Sequence, residues 1–399
     1  MESSDSFSRT FHLYWYKEMI FMCVRFFPRK MLLLAPGVFL ALFLLLSLPG
    51  ATFAQSNHME GFYTQTNLVS DLPNTAMLTD PHLVNPWGLS RSATSPWWAA
   101  DNNSGFSTLY TGQGKAVPLV VTIPPPVGSP AGTIATPTGT VFNGTANFAV
   151  TKNGVAAPGL FLFATEDGTI SGWNPTVDPT HAILAVDRSN VGLGAVYKGL
   201  AIATNTDGTF LYAANFRFGT VEMFNGNFKL VRSFTDRELA FVCRVFHQCY
   251  APFGIQTIGN HLYVSFALQN AQKHDDIGGI GHGFVDVFDT NGNFDRRLIS
   301  RGSLDSPWGM ALAPANFGAF SNDLLVGNFR NGHINVFDPR TGEHLGQLES
   351  PNDTPIVIDD LWALAFGNGA AAGATNQLFF TAGIDDEAHG LFGFIQSQS

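Results

Sequence analysis

The stretch Ser306–Met310 reads SPWGM: a tryptophan held between a proline and a glycine, ahead of an apolar run. Asn85–Leu89 reads NPWGL and Ala251–Ile255 reads APFGI. Aligning the chain on this stretch gives six anchors, Gly88, Gly139, Gly199, Gly254, Gly309 and Ala363, at spacings of 51, 60, 55, 55 and 54 residues. The residues just before them are Trp87, Thr138, Lys198, Phe253, Trp308 and Trp362. Near-equal intervals of this kind are an internal repeat of about 55 residues.

Each repeat has the same inner grammar. An apolar strand follows the anchor, as in GLAIAT; a second ends at a polar residue, as in WWAAD, LYAAN and LLVGN. After a Gly-containing turn a third strand alternates, GTVEMFN, GFVDVFD or GHINVFD, and a tight turn leads to a fourth, FKLVRSF, FDRRLIS or HLGQLES. Four short strands per repeat, with period-two alternation and Gly, Asn or Asp turns, make a propeller blade. The reading is all-β: a six-bladed β-propeller of four-stranded blades. Only 36 residues follow Ala363, too few for a full repeat, and the chain ends on a third strand, LFGFIQSQS. FYTQTNLVSD, ahead of the first anchor, resembles a fourth strand, so residues 62–70 are expected to complete the last blade and remove its open edge. In this frame Pro opens the innermost strand, Gly permits close approach near the axis, and Trp fills the wedge between blades. The alternative for Trp is an aromatic ring at the channel mouth that stacks a ligand.

Composition agrees. Of 399 residues, 45% are apolar and 13% charged, with 36 Phe and 41 Gly, a profile of buried strands and tight turns and not of a disordered chain. The first 54 residues read differently. Arg25, Arg29 and Lys30 precede MLLLAPGVFLALFLLLSLPG and then ATFA, the pattern of a secretory signal peptide over residues 1–54 with a long n-region, cut after Ala54. An uncleaved anchor is the alternative. Cleavage takes five basic and three acidic residues from the whole-chain totals of 21 and 31, leaving 16 against 28 and a formal charge of −12. Such acidity argues against nucleic acid and anionic membranes as partners. The expectation is one propeller domain over residues 55–399, monomeric, and secreted, extracellular or periplasmic. In an oxidising compartment Cys243 and Cys249, in CRVFHQC, are expected to form a disulfide.

Repeats of the form PWG, LYAAN and GHINVFD resemble those of NHL-type propellers. The chain from about residue 60 to 395, with NPWGLS near its start, resembles a family of secreted bacterial six-bladed propellers with no assigned activity. The resemblance implies fold and secretion and brings no catalytic residues with it.

Candidate chemistry lies in the loops that join second to third strands on one face: Asp101–Gly105, Thr165–Gly168, Asn215–Gly219, Ala267–Gly283, Asn328–Gly332 and Gly383–Gly390. The strand-ending residues in register, Asp101, Thr165, Asn215, Phe266, Asn328 and Ala382, are expected to converge on the axis. Four of the six bear side-chain oxygen, and the oxygens of Asp101, Asn215 and Asn328, with Glu166 and Asp385, could hold calcium or another divalent cation. Arg217 and Arg330, at matching positions, could grip an anion. The bland reading is that Asn and Asp merely cap hairpin turns. The long loop 267–283 carries His274, Asp275, Asp276 and His282, and the last loop carries Asp385, Asp386, Glu387 and His389; either cluster could ligate zinc, although four glycines loosen the first.

Other motifs fail. Asp289–Asp295 alternates Asp and Asn like a calcium loop, but Phe294 and Ser300 stand where the turn glycine and the bidentate glutamate belong, so it reads as a hairpin turn. There is no GxSxG, HExxH or phosphate-cradling glycine loop. Two functions follow. The first is a binding or scaffold module presenting its loop face to a protein, glycan or small ligand; the alternative is a metal-dependent hydrolase or lactonase with a cation at the channel mouth.

Overall fold

The computed structural model describes residues 61–398. The expected leader over residues 1–54 lies outside the described residues. Six blades follow one another around an axis. The first has strands Pro86–Ser90, Trp97–Asp101, Phe106–Tyr110 and Val121–Thr122. The second has Pro137–Phe142, Phe161–Thr165, Thr169–Trp173 and Ile183–Asp187, and the third Tyr197–Asn205, Gly208–Asn215, Thr220–Asn225 and Leu230–Phe234. The fourth has Tyr250–Ile258, His261–Leu268, Gly283–Asp289 and Phe294–Ser300; the fifth Pro307–Leu312, Leu324–Asn328, Ile334–Phe337 and His344–Gln347. The last is built from Leu361–Phe366, Leu378–Ala382, Leu391–Ser397 and, from the other end of the chain, Tyr63–Ser70. Each innermost strand packs on the next, and the last packs on the first.

The N-terminal strand closes the ring as expected: it runs antiparallel to Leu391–Ser397 from Tyr63 opposite Ser397 to Ser70 opposite Leu391. Leu78–Thr79 adds a short parallel fifth strand outside it. The Tyr63 ring is fully buried, and its hydroxyl donates to Phe317 O at 3.0 Å in the neighbouring blade.

The PWG repeat has a shared geometric basis. Pro86, Pro137, Tyr197, Pro252, Pro307 and Leu361 sit opposite Asp101, Thr165, Asn215, Phe266, Asn328 and Ala382 in turn. In every blade the ladder is then interrupted over the next two positions, the residue before the anchor and the anchor itself. A bulge re-aims side chains, and here it frees the aromatic residue from the ladder. It also turns the glycine against the next blade. A methyl added to Gly88 would strike Thr138 O, one on Gly254 would strike Trp308 O, and one on Gly309 would strike Trp362 O. Glycine at these anchors is therefore set by backbone contact between blades.

Two elements depart from the simple repeat. A hairpin, Ala149–Lys152 with Val155–Pro158, is inserted in the second blade and accounts for the longest anchor spacing. A helix, Arg237–Phe246, connects the third and fourth blades in a chain read as all strand. Asp236 caps it by accepting from the backbone N–H groups of Glu238 and Leu239, and His247 ends it in the left-handed conformation. The expected disulfide joins Cys243 in its last turn to Cys249, a short closed loop worth roughly 2 kcal/mol in the chain-entropy account.

Candidate functional site

At the loop face the axis is filled by aromatic rings. Trp87, Phe253, Trp308 and Trp362 meet there with Phe216 and Phe329 in one buried cluster. Trp87 stacks on Trp362, Trp362 stacks on Phe329 at 4.0 Å between centroids, and Trp308 stands edge-on to both tryptophans. Trp87 and Trp362 are at most 2% exposed. The tryptophans thus pack on one another at the axis; they are not wedges between blades, nor an open ring awaiting a ligand.

The strand-ending residues do not converge on the axis. Side chains of unbulged strand residues point to the two sheet faces, which in a propeller are the neighbouring blades. Asp101 is fully buried and accepts from Thr108 Oγ1 at 2.8 Å, and burial pushes its carboxyl well above the ordinary range. Asn215 donates to Glu222 Oε1 at 3.2 Å, and Asn328 donates to Ser303 O at 2.8 Å. Arg217 is tied to the carbonyls of Leu193 and Gly194. Arg330 is held by both oxygens of Asp276, at 2.8 and 2.9 Å, and lies over the Phe329 ring. The two arginines form no shared anion grip.

What the fold does bring together is a charged collar over the plug. Its centre is Lys198, the one cation among the residues that precede the anchors. Lys198 is 2% exposed, and its ammonium sits 4.9 Å from the centroid of Trp87 and 5.8 Å from that of Phe216. It pairs with Glu166 from the second blade and lies 3.6 Å from Asp275 Oδ1 on the long fourth-blade loop. Asn102 donates to the other Glu166 oxygen at 3.0 Å. His274 Nδ1 lies 2.7 Å from Asp275 Oδ1, and this hydrogen bond, with the charge of Lys198, draws the Asp275 carboxyl down to about 2. The loop is therefore anchored on both sides, by Asp275 toward Lys198 and by Asp276 to Arg330.

Glu387 completes the collar from the last blade. Asp385, Asp386 and Glu387 are three successive non-glycine residues in the left-handed region, at φ 59°, 54° and 64°. Bonds from Glu387 N to Gly383 O and from His389 N to Ile384 O hold the turn. Such backbone is costly and persists where its surroundings impose it. Here it places the Glu387 carboxylate on Asn85 Nδ2 at 2.9 Å, while Asn85 Oδ1 accepts from Trp362 Nε1 at 3.0 Å. Asn85 thus couples collar to plug. Burial raises the Glu387 pKa, and the charge of Glu166 adds to the effect.

The remaining candidates lie apart. Asp385 and Asp386 are exposed, His389 pairs with Asp71, and His282 faces the carbonyls of Ile277 and Gly278 in its own loop. Among the described residues one trio has the proximity a metal ion needs: Glu166, His274 and Asp275, with ligand atoms within 4.8 Å of one another. It draws one member from the expected ring and two from the long loop. The Lys198 ammonium already lies against two of the three carboxylate and imidazole groups, so the local positive charge is supplied by the chain itself. Glu387 belongs by sequence to the last-loop ligand cluster, and the structure sets it instead in the collar on Asn85; the residues that reading the sequence missed are Lys198 and Asn85. The available signal was a lysine at a repeat position otherwise filled by Trp, Phe and Thr.

No family model matches the chain. Protein R648 of Acanthamoeba polyphaga mimivirus is 34% identical over 333 residues, covering 82% of this chain and 78% of that protein. Mimivirus protein L690 is 32% identical over 331 residues, covering 82% and 83%. Among solved structures, a presumed gluconolactonase superposes with a TM-score of 0.50 at 11% identity, over 85% of this chain and 93% of that one; the likeness is one of fold. These relatives are viral, so they do not support the bacterial and secreted part of the resemblance, whereas its propeller part stands. The fold suits a binding or scaffold module in general and hosts enzymes as well. The chain belongs to the family of the mimivirus proteins R648 and L690, and its own fold is a six-bladed β-propeller.

Proposed function

We propose that the chain is a secreted binding module, extracellular or periplasmic, whose loop face recognises a protein, glycan or small polar ligand through the collar around Lys198. The observation that carries this reading is the arrangement of Asn102, Glu166, Lys198, Asp275, Arg330 and Glu387 over a sealed aromatic plug. Donors and acceptors of both signs are fixed there by mutual pairing, and beneath them the axis is filled by the buried aromatic cluster. Held polar groups on a rigid base favour recognition, because little order is lost on binding.

The second reading, a metal-dependent hydrolase or lactonase, rests on the Glu166–His274–Asp275 trio. A cation there would polarise a carbonyl, and Glu387, the collar carboxylate outside the trio, is the candidate to move a proton. Lys198 weighs against it, since a divalent ion would have to displace or repel a buried ammonium.

The experiment is a thermal-shift screen of saccharides, polyols and short charged peptides on the wild type, on Lys198→Met and on Glu387→Gln. Binding through the collar is expected to give ligands whose stabilisation is lost in both variants. Ligands that stabilise all three proteins equally contradict the assignment. Lactone or ester hydrolysis abolished by EDTA would favour the second reading.

A further inference from the structure

The channel has a second end, with different chemistry. Beyond the anchors the six inner strands open around a cavity of about 470 Å³ to which all six contribute. That volume falls within the roughly 300–1,000 Å³ of small-molecule sites. Most of its lining residues are apolar, Phe142, Ile202, Leu312, Leu364 and Phe366 among them, and polar atoms share the exposed wall with them. Leu312 is 42% exposed, although it sits on an innermost strand.

One charged residue lines this cavity, Arg91. Its Nε donates to Phe366 O at 2.8 Å, its Nη2 donates to Gly367 O at 3.2 Å, and the guanidinium lies over the Trp97 ring at 5.4 Å. These contacts fix the group and, among the described residues, leave Nη1 without an acceptor. Among the described residues no carboxylate pairs with it, and none lines the cavity, although acidic residues outnumber basic ones by ten in the chain. Across the axis Gln256 is exposed, and its side-chain amide makes no hydrogen bond among the described residues. A part-buried cation without a counter-charge is unfavourable unless something pairs with it. A guanidinium with a free N–H edge suits a carboxylate or sulfonate.

The geometry points to a second binding site, in which the axial cavity takes a single amphipathic anion. The anionic head sits on Arg91, the apolar body lies along Phe142, Ile202, Leu312 and Phe366, and Gln256 supplies a further polar contact. This site is on the opposite end of the channel from the collar and does not depend on the function proposed for the loop face.

The test is calorimetric titration of the full chain with decanoate and with decanol, which share a tail and differ in the head. The wild type is expected to bind one decanoate, at least about tenfold more tightly than decanol, as a charge-assisted contact provides. Gln256→Glu alters an exposed side chain with no hydrogen bond to lose. It is expected to weaken decanoate about tenfold or more and decanol far less, because the added repulsion acts on the charged head. Arg91→Met is expected to erase the preference for decanoate; because it also removes two bonds to the backbone, its fold is checked by circular dichroism, and Gln256→Glu carries the test if it misfolds. Lys198→Met, at the other face, is expected to bind decanoate as the wild type does. Absence of saturable decanoate binding, equal affinity for decanol, or indifference to Gln256→Glu each overturns the assignment.

Discussion

The indole of Trp87 lies flat on that of Trp362, centroids 3.5 Å apart and planes inclined by 20°, where the first blade meets the last. Both rings come from the repeated bulge, one at each end of the ordered repeat. The stack therefore ties together the seam that ring closure creates. Trp362 also touches Phe253, Trp308 and Phe329 and donates to Asn85. Trp362→Ala removes the residue on which most of the plug rests. It is expected to cost about 3–5 kcal/mol, the usual range for truncating a buried large aromatic, read as a lowered urea midpoint.

Gly254→Ala tests the explanation of the anchors. The added methyl meets Trp308 O, a backbone atom on the next inner strand, which cannot rotate away. Gly259→Ala is the comparison: it has open space around it but a φ of +62°, so only backbone strain of about 1 kcal/mol is expected. The anchor variant should lose clearly more stability than the turn variant in the same denaturation experiment. Equal losses would mean that the anchors are glycine for another reason.

Asp360 gives a pH dependence. Burial pushes its carboxyl up to about 7, with the charges of Asp359 and Glu387 adding to the rise and Arg330 opposing it. A raised carboxyl pKa favours the protonated form in the folded state. Its contribution is fully present below the unfolded value near 4 and is lost as pH rises through about 7. Asp360→Asn is expected to melt at a higher temperature than the wild type at pH 8, with the difference vanishing near pH 4. A difference that is constant over this range would show that Asp360 does not titrate between the two values.

The propeller was legible because its signals are local and repeated. The anchor spacing, the strand grammar and the missing final strand each follow from short-range pattern, and all three hold in the structure. The hairpin at 149–158 and the helix after Asp236 break the repeat, and the alternation of the flanking strands does not announce them. The site was less legible for a geometric reason. Asp101, Asn215 and Asn328 share a register position, and that position suggested convergence. The bulge that follows Pro86, Tyr197 and Pro307 gives the axis to the next residue along and leaves the strand ends facing neighbouring blades. The collar draws Asn102, Glu166, Lys198, Asp275 and Glu387 from five separate blades, so it exists only once the ring has closed. Glu387 further depends on three consecutive left-handed residues, a conformation that residue propensities disfavour.

The proposed reading rests on Lys198, and not a metal ion, supplying the positive charge at the channel mouth. It is tested most directly by the metal content of the chain purified without chelator, with its melting temperature taken before and after EDTA. The account expects no stoichiometric metal and an unchanged melting temperature, because the ammonium already lies against Glu166 and near Asp275. A stoichiometric calcium or zinc ion whose removal lowers the melting temperature would contradict it and transfer Glu166, His274 and Asp275 to the role of metal ligands.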